Sequence, residues 1–200
     1  MDTTNIIAIY GKSGHGKVLE DIARARGFKE VLYIDDDPKK EALNFLTFYE
    51  FYHEVPVLLG IGDNHARQKL FNSLKQKGFS LPSISHPSAV ISESAQIGEA
   101  TVIMPNVVVN AQASIASGCI LNTACVIEHD CQIEDFVHIS VKTALAGNVK
   151  VGKFSYLGIG VNVIQGLNIG ENCMVGAGSA VIRDVASNLK VAGAPAKVIA

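Results

Sequence analysis

From Ile91 onward every sixth residue is a branched aliphatic: Ile91, Ile97, Ile103, Val109, Ile115, Leu121, Ile127, Ile133, Ile139, Leu145, Val151, Leu157, Val163, Ile169, Val175 and Val181. The position four residues further on is equally restricted. It runs from Ala95 and Thr101 through Cys119, Cys125, Cys131 and Thr143 to Cys173, Ser179 and Val185, and nearly all its members are small. A period of six fits neither a helix nor an alternating strand. It does fit a chain wound into flat-sided coils, in which each hexad gives one short strand and one corner. The large aliphatic then points inward and the small residue fills the space beside it. Repeats of this regularity mark solenoids, and stacked coils hydrogen-bond at the usual strand spacing of ~4.8 Å. No insertion breaks the pattern from Ile91 to Val185.

The repeat explains an uneven charge distribution. Of the 36 charged residues, 22 fall in residues 1–90, 12 in residues 91–186 and 2 in the short tail. None of the twelve occupies either inward position. A hydrophobic content of 48% with a net charge of −2 excludes a disordered chain and gives no footprint for nucleic acid or an anionic membrane. No uninterrupted apolar run approaches the ~18 residues of a membrane span. Met-Asp-Thr-Thr-Asn lacks the basic segment of a signal peptide, so a cytoplasmic location is expected. All four cysteines, Cys119, Cys125, Cys131 and Cys173, fall on the small inward position, where free Cys packs as a small hydrophobe. Burial raises a thiol pKa, so a covalent acyl-cysteine route is disfavoured.

The hexads resemble the hexapeptide-repeat acyltransferases, and the segment Gly193-Ala-Pro195-Ala-Lys197 is similar to a common ending of those chains. The resemblance implies a left-handed parallel β-helix with three hexads, eighteen residues, per coil.

The first half reads differently. Residues 5–10 form a buried strand, followed by Gly11-Lys12-Ser13-Gly14-His15-Gly16-Lys17 and a helical pattern from Val18 to Arg26 that stops at Gly27. A second strand, Val31 to Ile34, ends in Asp35-Asp36-Asp37. A third, Val57 to Ile61, ends at Gly62-Asp63-Asn64, and a helical pattern runs from His65 to Lys77. Alternating strands and helices imply a small Rossmann-like α/β unit with a parallel sheet. Residues 38–55 carry no clear pattern. The expected division is residues 1–85 as the α/β domain and 86–200 as the β-helix. The glycine loop is not a Walker A motif, because Val18 stands where Ser or Thr would hold magnesium, and its order is Gly-x-x-Gly-x-Gly. Backbone N–H groups at the helix start still suit a phosphate, and the acids about twenty residues later suit a nucleoside. The three loops share the carboxyl edge of the sheet, where such folds collect ligands.

Within the repeat lie two histidines, His129 and His138. His129 is a corner residue flanked by Glu128 and Asp130. A carboxylate that accepts one ring N–H fixes the tautomer and makes the other nitrogen a base. With eighteen residues per coil, Gly147 stacks beside His129, leaves room there, and offers an N–H to a developing oxyanion. His138 occupies the last position of its hexad and is expected to point outward.

Leu121-Asn122-Thr123, Ile127-Glu128-His129-Asp130-Cys131, His138-Ile139-Ser140, Ala146-Gly147-Asn148-Val149 and Tyr10-Gly11-x-Ser13-Gly14-His15-Gly16 together resemble the sialic-acid O-acetyltransferase-like family. Within it, the nearest likeness is to the UDP-4-amino-sugar N-acetyltransferases of the bacillosamine type, across essentially the whole chain. The resemblance implies acetyl transfer from acetyl-CoA to the amine of a UDP-linked amino sugar, without a metal, in a homotrimer whose sites lie between subunits. It implies His129 as general base tuned by Asp130, with Glu128 able to share that role and Asn122 in the catalytic set. His138, Ile159 and Ala177 match acetyl-CoA contacts. Ser13, Gly14, His15, Asp35, Asp36 and Gly62 match the nucleotide-sugar site. Asp130 stands where Glu is frequent, and Ala177 where Gly is frequent. Acetylation of a hydroxyl, on sialic acid or another sugar, is the alternative. A zinc enzyme of the γ-carbonic-anhydrase type needs three converging histidines and finds two in the repeat. A purely structural solenoid leaves the first half without a purpose.

Overall fold

A computed structural model describes residues 5–199. The α/β unit runs β1 (Ile6–Tyr10), α1 (Gly14–Ala25), β2 (Glu30–Ile34), α2 (Phe45–Phe51), β3 (Val57–Leu59) and α3 (Asn64–Gln76). Its parallel sheet has the order β2-β1-β3. Ile7, Ala8 and Ile9 of β1 are buried, as expected of a central strand covered on both sides. Helix α1 begins four residues earlier than the apolar pattern, so the glycine loop is partly its first turn. Gly27 ends it with φ +94°, a conformation glycine adopts without strain. The uninterpreted stretch contains α2, capped by Asn44 accepting from the Thr47 N–H at 2.9 Å. Phe48 of α2 and Phe79 stack in the second, smaller core.

The repeat forms the β-helix. Its first face carries the strands from Ile84–Ser85 to Lys190–Ala192, its second Val90–Ile91 to Ala180–Val181, and its third Gln96–Ile97 to Asn168–Ile169. Pairing is parallel with an eighteen-residue offset, for example Ile120 with His138 and His138 with Tyr156. The aliphatics from Ile103 to Val181 are inside, and so are the four cysteines, all free. The first rung is Ile84–Ser85, just ahead of residue 86. The eighteen-residue register holds to Val181, which pairs with Val163, and then shortens by two: Val185 sits opposite Ile169 on the third face and Lys190 opposite Met174.

Each corner turns through a left-handed residue, every sixth from Ala100 to Asn172, among them Asp130 at φ +61°. Its N–H donates to the coil before, as Asp130 N does to Ala111 O at 3.0 Å. Positive φ is uncommon outside glycine. This ladder of hydrogen bonds offsets its cost.

The α/β unit sits on the first face. There the outward residues of the early coils, Val102, Met104 and Ile120, are themselves buried and share a core with Ile7, Ile9, Leu19 and Ile22. Arg67, buried to 1% exposure, bridges the two parts. Its guanidinium donates to the carbonyls of Gly118 and Phe136 in the β-helix and of Ile61 and Gly62 in the third loop, and to Asn64 Oδ1. Asn64 Nδ2 donates in turn to Phe154 O at 2.9 Å. The third face is polar (Gln96, Gln132, Lys150, Asn168). The second exposes Val90, Ile164 and Ile182.

Candidate active site

His129 stands at the corner between the second and third faces. The positive φ of Asp130 folds its carboxylate back toward the ring, and His129 Nδ1 meets Asp130 Oδ2 at 2.8 Å. Adjacent residues in extended chain point to opposite sides; the left-handed corner is what lets them meet. A carboxylate that accepts from Nδ1–H makes Nε2 the acceptor nitrogen of the ring, and that nitrogen lies against Gly147. The shorter acid thus reaches the ring. Glu128 Oε2 lies 3.4 Å from the His129 main-chain N, and among the described residues only Asp130 is hydrogen-bonded to the ring.

Gly147 stacks beside His129 as expected, but the room it leaves is filled by the imidazole. A Cβ there would lie 2.6 Å from Cε1 and 2.7 Å from Nε2. Among the described residues its N–H makes no backbone hydrogen bond, so it is available as a donor.

His138 points outward, but into the groove beneath the α/β unit. Its Nε2 lies 3.2 Å from Asn122 Nδ2, and its ring meets Tyr156 edge-on at 5.0 Å. Burial, then the charge of Arg67 and the neighbouring His15, lower its pKa to about 3, against a weaker opposing bond to the Gly62 backbone. His15 is lowered to about 4 by burial and then by Arg67. Both are neutral at pH 7. The buried Nε2 of His15 has no hydrogen-bond partner among the described residues. Asn122, His138 and His15 therefore form one cluster on the first face, which the structure does not bring to His129. Ile159 and Ala177 lie on a third line, exposed at the corner between the first and second faces.

The glycine loop is built for close approach. Gly11 has φ +110°, and a Cβ there would lie 2.8 Å from Gly60 O; one on Gly16 would lie 2.1 Å from Gly11 O. Glycines at 11, 16 and 60 thus draw the start of α1 against β3. Ser13 precedes α1 without a side-chain cap, its hydroxyl donating instead to Gly60 O at 3.2 Å. By contrast α2 and α3 are capped by Asn44 and Asp63. An uncapped helix start leaves N–H donors and the positive dipole end for an anion. Open space surrounds the Cβ positions of Gly14 and Gly62.

The acids are partly committed. Asp35 accepts from the N–H groups of Lys12 (2.8 Å) and Asp37 (3.1 Å) and pairs with Lys40 (2.7 Å), bonds that outweigh desolvation and hold its carboxyl below the ordinary value. These bonds tie the glycine loop to the segment after β2. Exposed Asp36 accepts from Tyr10 Oη at 2.5 Å with one oxygen and, more weakly, from the Phe45 N–H at 3.4 Å with the other. A cleft of about 430 Å³ opens below Gly62 against Tyr156, Met174 and Lys190 of the first face. Sequence reasoning missed Arg67 altogether. The signal was one Arg inside an otherwise amphipathic helix, which has no distinguishing context until the β-helix carbonyls are in place.

An α/β unit with an anion-ready helix start, seated on a hexad-built β-helix with an acid-held corner histidine, is the architecture of a hexapeptide-repeat acyltransferase. The family model described as PglD N-terminal domain matches residues 6–74. A UDP-N-acetylbacillosamine N-acetyltransferase from Bacillus subtilis is 38% identical over 109 residues, 49% of this chain and 50% of that enzyme. The chain thus spans about half the length of this curated relative. A histidine-to-alanine variant of GDP-perosamine N-acetyltransferase from Caulobacter crescentus, solved with CoA and GDP-perosamine, is 36% identical, with a TM-score of 0.93 and 98% of each chain covered. The acetyltransferase domain of PglB from Neisseria gonorrhoeae, solved with acetyl coenzyme A, is 32% identical, with a TM-score of 0.93, covering 98% of this chain and 99% of that one. The chain belongs to the PglD-type hexapeptide-repeat sugar N-acetyltransferases, a class dependent on acetyl-CoA.

Proposed function

We propose that the chain acetylates the 4-amino group of a UDP-linked amino-dideoxy sugar of the bacillosamine type, in the cytoplasm, for bacterial glycan or glycoprotein synthesis. The observation that carries the chemistry is the His129–Asp130 contact. The neutral sugar amine attacks the thioester carbonyl of acetyl-CoA, forming the C–N bond, and His129 Nε2 takes the amine proton. Asp130 stabilises the imidazolium. The Gly147 N–H faces the tetrahedral oxyanion. Collapse breaks the C–S bond, CoA leaves as thiolate and is reprotonated, and no step needs a metal. The uncapped start of α1 at Ser13-Gly14-His15 receives the diphosphate, and Asp36 with Gly62 the nucleoside of the acceptor.

The acting unit is a homotrimer with sites between subunits. In a three-sided coil, the His129 corner is opposite the first face, which carries the α/β unit, Asn122 and His138. One chain therefore holds its base far from its own nucleotide loops. The second face supports association: it is apolar, neither covered like the first nor polar like the third, and its groove of about 400 Å³ runs beside the His129 corner. Ile159 and Ala177 of one subunit would then line the acetyl-CoA channel beside the base of the next.

His129→Ala tests the reading. Loss of a general base costs about 10²–10⁴-fold in turnover while acetyl-CoA binding, followed by calorimetry, stays near normal. Near-wild-type turnover would remove His129 from its role.

A further inference from the structure

Arg67 is a buried cation without a counter-ion. Its guanidinium meets only neutral acceptors, the carbonyls of Gly118, Phe136, Ile61 and Gly62 and Asn64 Oδ1, at 2.7–3.2 Å. Among the described residues it makes no ion pair. The acid whose charge it feels, Asp63, is exposed and caps α3 by accepting from the Ala66 N–H at 2.8 Å. Burial lowers the guanidinium pKa to about 10, which leaves it charged at pH 7. A buried charge is normally paired, because taking it out of water is costly, and neutral donors could join the two units without that cost. The charge lies one loop away from the start of α1. Arg67 Nη1 holds the Ile61 and Gly62 carbonyls, and the residue before them, Gly60, accepts from Ser13 Oγ at 3.2 Å. After burial, this charge is the next cause holding His15, in the first turn of α1, and His138 below the ordinary histidine range.

We propose that Arg67 is a positioning residue for the acceptor: its buried charge is the counter-ion of the diphosphate seated at Ser13-Gly14-His15, and it acts through the third loop without touching the ligand. A guanidinium has five N–H groups, and the five bonds already made engage them all. What Arg67 adds is therefore charge and the placement of Gly62. The uncapped helix start supplies N–H donors and about half an elementary charge. Arg67 supplies a full charge from a dry and fixed place, where salt screens it little. Asp35, the acid bonded to the glycine loop, is paired with Lys40 and does not oppose it. Because the same guanidinium holds Gly118 and Phe136 of the β-helix, the charge keeps its place relative to the first face. The diphosphate is thus registered against the coil that carries His138. The inference rests on the reading of a nucleoside diphosphate at the start of α1.

The test compares wild type, Arg67→Gln and Arg67→Lys at pH 7 by calorimetric titration with UDP, with uridine by displacement, and with CoA as the control for folding. The preference for UDP over uridine is expected to fall about tenfold in Arg67→Gln, with CoA affinity near that of wild type. Arg67→Lys keeps the charge and loses the fork of donors, so it is expected to unfold at lower urea yet hold the UDP preference within about threefold. A merely structural role lowers UDP and uridine together and treats the two variants alike. If Arg67→Gln no longer holds CoA, it is unfolded and Arg67→Lys decides. On the wild type alone, the UDP preference is expected to survive a rise in salt from about 0.05 to 0.5 M, because a buried charge is weakly screened. An unchanged preference in Arg67→Gln, a tenfold loss in Arg67→Lys, or a collapse of the wild-type preference with salt overturns the counter-ion and leaves the diphosphate reading intact. Wild-type protein that binds UDP no better than uridine overturns the diphosphate reading, and the counter-ion with it.

Discussion

Gly147→Ala separates the position of the His129 ring from its presence. The added methyl would stand 2.6 Å from Cε1 and 2.7 Å from Nε2. Carbon atoms settle at about 3.5–4 Å, so the ring must retreat by roughly 1 Å. The backbone at Gly147 lies outside the left-handed region, so alanine fits the chain and keeps the N–H. The His129 side chain is 62% exposed and can move outward freely. In doing so it gives up the 2.8 Å contact with Asp130, and with it the fixed tautomer. Misplacement of a reacting group by ~1 Å costs on the order of 10²-fold. Steady-state kinetics with acetyl-CoA and an amino-sugar nucleotide should therefore give a kcat about 100-fold lower, with both KM values little changed. The unfolding midpoint should stay within about 2 °C, because no buried contact is lost. Wild-type kcat in this variant would refute the role given to ring placement. A collapse of the midpoint would refute the claim that the ring escapes without strain.

Three further outcomes follow from the same geometry. Arg67→Met leaves the carbonyls of Gly118, Phe136, Ile61 and Gly62 without their donor, and urea unfolding should report a loss of about 3–5 kcal/mol; a loss under about 1 kcal/mol would contradict the bridge. His15 and His138 titrate near 4 and 3 in the folded chain and near 6.5 when unfolded, so the unfolded state binds the extra protons. Stability from this source is present above pH 6.5 and is lost as pH falls through the window toward 3, by a few kcal/mol in all; a flat profile from pH 7 to 4.5 would contradict their burial as neutral rings. Mixing His129→Ala subunits with Gly16→Val subunits, whose side chain would strike Gly11 O, should restore activity lost by each alone. Failure of mixed trimers, verified by mass, to recover any activity would contradict sites made between subunits.

The β-helix was legible because burial acts on two positions in every hexad, and burial is what sequence hydrophobicity records. Ile103, Leu121 and Cys125 are inside for the reasons their pattern implied. The corner position was not legible. Ala100, Phe136, Lys142 and Asn148 all adopt positive φ there through a backbone hydrogen bond, and a backbone constraint leaves a weak side-chain signature. Asp130 occupies that position, so the reason it reaches His129 could be seen only in the structure. Glu128, as near in the chain, meets the main-chain N of His129 rather than its ring. In the first half the strands were clear from their apolar runs, while the start of α1 was hidden by glycines chosen for close packing. The first-face cluster of His15, Asn122 and His138 joins residues more than a hundred positions apart, a proximity that depends on the docking of one unit on the other.

The decisive measurement is acetyl transfer from acetyl-CoA to a panel of nucleotide-linked amino sugars, UDP- and GDP-linked, with sialic acid as the hydroxyl control. The expected result is turnover of a UDP-linked 4-amino sugar, lowered about 10²–10⁴-fold by His129→Ala, and none of sialic acid. Turnover of sialic acid with no amino sugar accepted would contradict N-acetylation.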